Sequence, residues 1–171
     1  MKNSFLIIAF CLIGFGASAQ LTPNAIGLRL SGEDGLGPEI SYQRAVGDNN
    51  RFEFDLGFRD SRYYDAFKFT VLYHWVYNIS GGLSWFAGFG AGIGYADYDR
   101  GAPYFANDPY DDGRVFGSLD GDFGLEYSFL EFDVPIQLAL DLNPELEFME
   151  YEYENGVGLD LDIALAIRYQ F

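Results

Sequence analysis

The feature that most constrains the fold is an alternation of apolar and other residues, and it is clearest at the end of the chain. Between residues 156 and 171 every second position is apolar: Val157, Leu159, Leu161, Ile163, Leu165, Ile167, Tyr169 and Phe171. The positions between them hold Gly158, Asp160, Asp162, Ala164, Ala166, Arg168 and Gln170. Successive side chains point to opposite faces of a strand, whereas a helix would mix these two sets. The pattern therefore predicts a strand with one apolar face.

The same alternation recurs in seven further segments, so that eight strands are predicted. Five are clear, at residues 51–60, 66–77, 83–95, 118–127 and 134–142, and two are weaker, at 25–31 and 39–45. The connections after strands two, four and six are short, at 46–50, 80–82 and 129–133, while residues 97–114 and 143–155 form long ones. Between 145 and 154 acids alternate with apolar residues before Asn155-Gly156, a dipeptide typical of hairpin turns. The last hairpin is therefore expected to extend above the membrane.

The first 19 residues have the pattern of an export signal. Lys2 precedes an apolar run at residues 5–15, and Ala17, Ser18 and Ala19 supply the small residues of a cleavage site before Gln20. The apolar run is too short to cross a membrane as a helix, which takes about 20 residues. We therefore predict a signal peptide at 1–19 and one domain at 20–171, which contains no cysteine because Cys11 lies in the signal.

Composition limits the class of protein further. The signal contains one Lys and no acid, so the remaining chain has 9 basic and 26 acidic residues, a net charge of −17. Nucleic acid is accordingly excluded as an expected partner. No window after residue 20 is long and apolar enough for a membrane helix, and closed barrels are the other structure that satisfies every backbone group in lipid.

The volume of the barrel decides which face points outward. An eight-stranded barrel has an interior only wide enough for side chains to fill it. The apolar face carries too many Phe, Trp, Tyr and Leu side chains for that space, whereas the other face carries Gly, Ala, Ser and charges. The alternative, a soluble barrel with an apolar interior, is therefore disfavoured. Aromatic residues also concentrate near predicted strand ends, with aliphatic residues between them, as expected for a membrane barrel.

The signal sequence, the eight alternating segments and the ending Ile163, Leu165, Ile167, Tyr169, Phe171 resemble small outer-membrane barrels of the OmpA and OmpX type. The resemblance implies an all-β, eight-stranded antiparallel up-and-down transmembrane barrel in the outer membrane of a Gram-negative-type bacterium, with both termini periplasmic. It also implies that these five alternating apolar residues, which end at Phe171, are read by the barrel-assembly machinery, and that lipid and lipopolysaccharide surround the barrel. It covers the barrel alone and implies no periplasmic domain.

Charged residues on the inward face are the first candidate site. They comprise the bases Arg29, Arg59, Lys68 and Arg168, and the acids Glu39, Glu53, Asp55, Asp120, Asp122, Glu126, Asp141, Asp160 and Asp162. Buried charges have to be paired or neutralised. Two interpretations follow: a salt-bridged plug, or a narrow cation-favouring water path lined by the excess acids.

Two other groups of residues are candidates for a chemical role. His74 is the only histidine and would be the base of a lipid-modifying barrel enzyme, but its predicted place in the periplasmic half favours a structural role. Gly88, Gly90, Gly92 and Gly94 lack the spacing of a nucleotide-binding loop and are expected to make room for large side chains across the lumen.

The predicted external loop at 97–114 contains Asp108, Asp111 and Asp112, weak candidates for calcium ligands. Tyr110 and Leu119 stand where an EF-hand needs ligands, so that motif is excluded. The sequence thus favours a non-enzymatic envelope barrel without a cofactor, whose acidic and aromatic external loops contact the surroundings or a protein partner. A cation-favouring pore is the alternative, and a lipid-modifying enzyme comes third.

Overall fold

The structure is a computed structural model that describes residues 21–32, 36–60, 64–98, 114–150 and 155–171. It contains eight strands: β1 Asn24–Gly32, β2 Leu36–Ala45, β3 Asn50–Asp60, β4 Tyr64–Ser80, β5 Leu83–Tyr98, β6 Arg114–Ser128, β7 Ile136–Glu150 and β8 Asn155–Gln170. A short 3-10 helix, Phe129–Phe132, lies between β6 and β7. Within the described ranges no helix has the length and hydrophobicity to cross a bilayer. The signal predicted at 1–19 lies outside these ranges.

Each strand pairs antiparallel with the next, and β8 pairs with β1 to close the sheet. The closing pair runs from Ala25 opposite Gln170 to Ser31 opposite Ala164. Below it, the backbone N–H of Asn24 donates to the carbonyl of Phe171 at 3.1 Å. The predicted eight-stranded antiparallel up-and-down barrel is therefore confirmed. We call the end that holds Asn24, Phe171 and the connections 46–49, 81–82 and 129–135 the short-turn end, and the opposite end the loop end.

Strand β7 is longer than predicted. It continues through Pro144 to Glu150 instead of ending at residue 142. Proline has no N–H to donate, so the ladder to β6 is interrupted beside it. The ladder resumes in the same register, with Leu142 opposite Phe123 and Glu145 opposite Asp120.

The long connection predicted at 143–155 is therefore wrong, because β7 and β8 continue to pair as far as Glu150 and Asn155. The extension of this hairpin above the membrane stays a prediction. Asn155 lies opposite Glu150, and both belong to strands. The predicted turn at Asn155-Gly156 is thus also wrong, because the dipeptide begins β8 instead of forming the turn. Strand pairing with a partner of 15 residues overrides the local preference of the dipeptide.

The two faces of the sheet separate as the volume argument requires. On the outer face of β8, Leu159 is 74% exposed and Tyr169 is 52% exposed, whereas Arg168 on the inner face of the same strand is 1% exposed. Leu159 and Tyr169 are ten residues apart on the outer face. At about 3.3 Å per residue and a tilt of about 40°, they span a height of about 25 Å. This matches the apolar band of a transmembrane barrel.

Inward-facing glycines on β5 leave room for large side chains, as predicted. A Cβ atom on Gly88 would lie 2.3 Å from the His74 ring, and one on Gly94 would lie 2.2 Å from the Phe116 ring. A Cβ atom on Gly92 would lie 2.6 Å from Cε of Lys68. Gly90 differs, since its Cβ would meet the backbone carbonyl of Val71 at 1.9 Å. These positions allow bulky interior side chains within a narrow barrel.

The contact at Gly94 gives a test of this interior packing. We expect Gly94→Ala to lower the free energy of unfolding by about 1–3 kcal/mol, the usual cost of overpacking. The measurement is urea unfolding of the refolded barrel in lipid vesicles. Gly117→Ala is the matched control, because a Cβ there would meet its nearest atom at an ordinary 3.8 Å. A Phe116→Leu change should restore part of the loss, and equal effects of both glycine variants would contradict the packing argument.

Candidate functional site in the barrel interior

The structure places most of the predicted lumen charges inside the barrel. Those that are buried are Arg29, Glu53, Asp55, Asp120, Asp122, Glu126, Asp141, Asp162 and Arg168. Glu39, Lys68 and Asp160 are partly buried. The side chain of Arg59 lies outside the described set. Most of the buried charges form four groups of contacts along the barrel axis.

The central group is built around Arg168 of β8 and Glu53 of β3. The Arg168 guanidinium forms a short ion pair with the Glu53 carboxylate, and its Nε donates to Oγ of Ser41 at 2.9 Å. Gln43 donates from Nε2 to the second Glu53 oxygen at 2.6 Å. Arg168 and Glu53 are each 1% exposed. A closely paired arginine and carboxylate therefore crosses the middle of the lumen.

A second group, towards the loop end, surrounds Arg29. This guanidinium bonds Glu39 at 2.6 Å and Asp141 at 2.9 Å, and it also donates to Oδ1 of Asn143. Ser31 donates to the other Glu39 oxygen at 2.8 Å. Arg29 thus joins β1, β2 and β7 through side chains.

The third group lies closer still to the loop end and contains Lys68. Its Nζ contacts Asp120 at 2.9 Å and Glu145 at 2.5 Å. Ser118 donates to the second Asp120 oxygen at 2.8 Å. Lys68 is the most exposed base of the described network, with 22% of its side chain exposed.

The fourth group lies towards the short-turn end and includes His74. Nδ1 of His74 accepts from Nε of Arg51 at 3.2 Å, and its Nε2 lies 2.8 Å from Asp122. Arg51 also pairs with Glu126 at 2.6 Å, and its guanidinium carbon lies 4.9 Å from the centre of the Phe86 ring. His74 is fully buried. Among the described residues its contacts are Arg51, the carboxylates of Asp122 and Glu53, and the Phe86 ring, with no hydroxyl or thiol among them.

Asp55 is the exception among these charges. It is 3% exposed, yet neither carboxylate oxygen has a hydrogen-bond partner among the described residues. Burying such a group is costly unless it is neutralised or bonded. Most of the buried charges in the network are thus paired by other side chains, but the charge of Asp55 is not.

Sequence reasoning missed two members of the network, Arg51 and Glu145. Arg51 shares the parity of Glu53 and Asp55, but it lies at the end of a strand beside a predicted turn. Glu145 follows Pro144, where the sequence predicts that the strand has ended. In both cases the alternation of the sequence indicates an inward-facing residue, but neighbouring turn or proline residues indicate that the strand has already ended.

No metal site is evident in the described part of the chain, where no group of three or more His, Asp or Glu side chains is arranged to hold an ion. The calcium candidates Asp108, Asp111 and Asp112 lie outside the described residues and stay a prediction. Ile163, Leu165, Ile167, Tyr169 and Phe171 all face outward and are more than half exposed. Their role in assembly also stays a prediction.

Comparisons with known proteins identify solved structures that have the same architecture. No protein-family model matches the sequence, and no curated protein is similar to it. Among solved structures, the N-terminal β-barrel domain of Pseudomonas aeruginosa OprF matches with a TM-score of 0.66 and 11% identity, over 86% of this chain and 96% of that one. Neisserial surface protein A matches with a TM-score of 0.57 and 12% identity, over 86% and 94%. A de novo designed transmembrane β-barrel matches with a TM-score of 0.52 and 14% identity, over 90% and 100%.

These similarities show the fold, which is that of eight-stranded outer-membrane barrels. The expected fold class, a transmembrane up-and-down barrel, is thereby confirmed.

The central ion pair can be tested by removing one partner. We expect Arg168→Met to lower the free energy of unfolding by about 3–5 kcal/mol, because it leaves the Glu53 carboxylate buried without its cation. Urea unfolding in lipid vesicles measures this. The double change Arg168→Met with Glu53→Gln should recover much of the loss, since no charge is then stranded. Arg44→Met at an exposed site is the matched control, and an equal loss there would refute the argument.

Proposed function

We propose that the protein is a non-enzymatic barrel of the bacterial outer membrane that holds its loop-end connections at the cell surface. The observation that carries this proposal is the contrast between the two faces of the sheet. The outer face presents aliphatic and aromatic side chains to lipid, while the interior is filled by paired charges and packed rings. Chemistry and transport then have little space inside, and the connections beyond the strands are where contacts are made.

The proposed orientation follows from the connections. Both ends of the barrel chain, at Asn24 and Phe171, lie at the short-turn end. Barrels of this kind have short periplasmic turns and longer extracellular loops. The longest connection, residues 99–113, joins β5 and β6 at the loop end. We therefore place the short-turn end in the periplasm and the loop-end connections 33–35, 61–63, 99–113 and 151–154 outside the cell. Cleavage before Gln20 would release the exported barrel, and the assembly machinery would recognise its terminal residues, from Ile163 to Phe171.

The partners proposed at the loop end are lipopolysaccharide and a second protein. The region 97–114 is rich in Asp, Asn, Tyr, Gly and Pro. Carboxylates in an extracellular loop can share divalent cations with the phosphates of lipopolysaccharide. Asp108, Asp111 and Asp112 would be the cation ligands in this loop. Loops of this composition are typical of adaptable recognition surfaces on a rigid scaffold.

A narrow cation-favouring pore is the second candidate, and the excess of interior acids favours it. Against it stand Arg168, Phe86, Leu72 and His74, which are each at most 1% exposed and occupy the lumen at several heights. A lipid-modifying enzyme has less support, because His74 and its carboxylate neighbours Glu53 and Asp122 are buried inside the barrel, and no hydroxyl or thiol is among its contacts in the described residues.

The surface role is tested by replacing residues 100–113 with a short Gly/Ser linker. Binding to the folded state raises its stability, so lipopolysaccharide with Ca²⁺ should raise the urea midpoint of the full-length barrel in vesicles. We expect the trimmed variant to lose most of that increase while keeping its unfolding midpoint in plain phospholipid. Asp48→Asn, at the short-turn end, is the control and should keep the increase. An increase of equal size in the trimmed variant would exclude lipopolysaccharide as the partner of this loop.

The choice between a surface barrel and a pore is tested by single-channel recording in planar bilayers. We expect no stable conductance steps from the unchanged protein, because an ion would have to displace paired charges in the central group. The double change Arg168→Ala with Glu53→Ala removes only that group and should stay silent as well, because the groups around Arg29, Lys68 and Arg51 still fill the lumen. Stable, cation-selective steps from the unchanged barrel would support the pore and overturn the plug.

A further inference from the structure

Near the short-turn end, the outer face of the barrel changes from apolar to polar. On the neighbouring strands β1, β2 and β3, the last outward residue towards this end is polar, namely Asn24, Arg44 and Asn50. The outward residues two positions further into the band are apolar or aromatic: Ile26, Tyr42 and Phe52. In a bilayer such a boundary marks the change from hydrocarbon to headgroups, whose layer is about 5–8 Å thick on each side. Arg44 therefore lies at the height of the headgroups.

Arg44 is the outward-facing base among the side chains that the structure describes. It is exposed, whereas the other described bases point into the lumen: Arg29, Arg51, Lys68 and Arg168. The chain as a whole carries a net charge of −16. The lipid-facing surface near this end thus presents a positive charge that contrasts with the rest of the protein.

Hydrogen bonds hold the Arg44 guanidinium against the wall of the barrel. Oδ1 of Asn24 accepts from Nη1 of Arg44 at 2.6 Å and from the Tyr42 hydroxyl at 2.8 Å. Nε and Nη2 of Arg44 have no hydrogen-bond partner in the described part of the chain. An arginine bonds two oxygens of one phosphate through such a pair of N–H groups. The free side of this guanidinium is therefore prepared to receive a phosphate.

The chain itself supplies no anion to this guanidinium within the described residues. Asp48, in the turn after β2, forms no ion pair with Arg44. The carbonyl oxygen of Phe171 accepts from the backbone N–H of Asn24 instead. The anion that completes the site is thus expected from outside the chain.

The surface beside Arg44 is aromatic. The Tyr42 ring stacks on Phe54 with centroids 6.1 Å apart, and the Phe52 ring meets the edge of Tyr73 at 5.2 Å. Rings of this kind lie at the headgroup level of a bilayer, where their apolar faces contact acyl chains. A molecule that fits this place has an anionic group for Arg44 and an apolar part for the rings.

We propose that Arg44 binds the phosphate of a phospholipid headgroup at the short-turn edge of the apolar band. The phosphate oxygens accept from Nε and Nη2 of Arg44, while the acyl chains of the same lipid lie along Tyr42 and Phe52. The assignment to the periplasmic leaflet rests on the orientation proposed above, whereas the contact with phosphate does not.

The test is an NMR titration of the folded barrel, in micelles of an uncharged detergent, with dihexanoylphosphatidylglycerol. We expect saturable shifts of the backbone amides around Tyr42, Arg44 and Phe52. Two further probes separate the parts of the lipid. Dihexanoylglycerol has the same acyl chains without phosphate, and inorganic phosphate has no acyl chains. Neither should cause a saturable shift at these residues.

Two variants separate this site from general electrostatic attraction. Arg44→Gln removes the guanidinium, and we expect it to weaken binding about fivefold. Asn49→Asp makes the same change in net charge in the neighbouring turn and should leave the affinity almost unchanged. A fivefold effect is small beside the loss of stability expected for Arg168→Met, so Arg44→Met stays a valid control in that experiment.

The salt dependence gives a second measurement. Raising the NaCl concentration to about 0.5 M screens exposed charges, so it should weaken binding to the unchanged barrel and barely affect Arg44→Gln. Equal affinity of Arg44→Gln and the unchanged barrel, an equal loss in Asn49→Asp, or equal binding of either partial probe would overturn the proposal. These results do not depend on the lipopolysaccharide or conductance tests, so either proposal can fail without the other.

Discussion

The narrowness of an eight-stranded barrel is the constraint on which the rest of the structure depends. Closure satisfies the backbone groups of every strand, but it leaves an interior that only side chains can fill. The large apolar residues therefore face outward, and charged residues have to share the space inside. Because buried charge is costly, those residues are paired. The arrangement of the lumen is thus a consequence of strand number.

The ion pairs add connections that the backbone ladder cannot make. Hydrogen bonds of the sheet join only neighbouring strands, whereas Arg168 of β8 pairs with Glu53 of β3 and Lys68 of β4 pairs with Asp120 of β6. Arg51 of β3 likewise reaches Glu126 of β6. The Lys68 pair spans one intervening strand, whereas the Arg168 and Arg51 pairs each span two, so these contacts fix strands that are not adjacent in the sheet relative to each other. Small residues such as Gly88 and Gly94 make this possible, because they leave room for the side chains that cross.

Much of this barrel can be predicted from the sequence because the strongest pattern in it, an alternation with a period of two, is the pattern of a strand with one apolar face. Strand number, closure and the inward or outward direction of most side chains all follow from that alternation. Predictions failed where a local residue gave the opposite signal, as at Pro144 and at Asn155-Gly156, and there the long ladder with the neighbouring strand prevailed. The partners within each ion pair could not be predicted from the sequence, for another reason. They depend on the stagger between strands that are distant in the chain, and alternation within one strand contains no information about stagger.

The paired charges that fill the lumen also limit where a ligand or ion can enter this barrel. A ligand or ion that enters from the loop end meets Lys68 and its two carboxylates first, then Arg29, then the central pair. Each step would require separating charges that are stable only together. An approach from the short-turn end is different, since a cavity there ends at Arg51 and Glu126 and demands no such separation. The cavity is nevertheless linked to the central pair, because Gln43 lines it and donates to Glu53 at 2.6 Å.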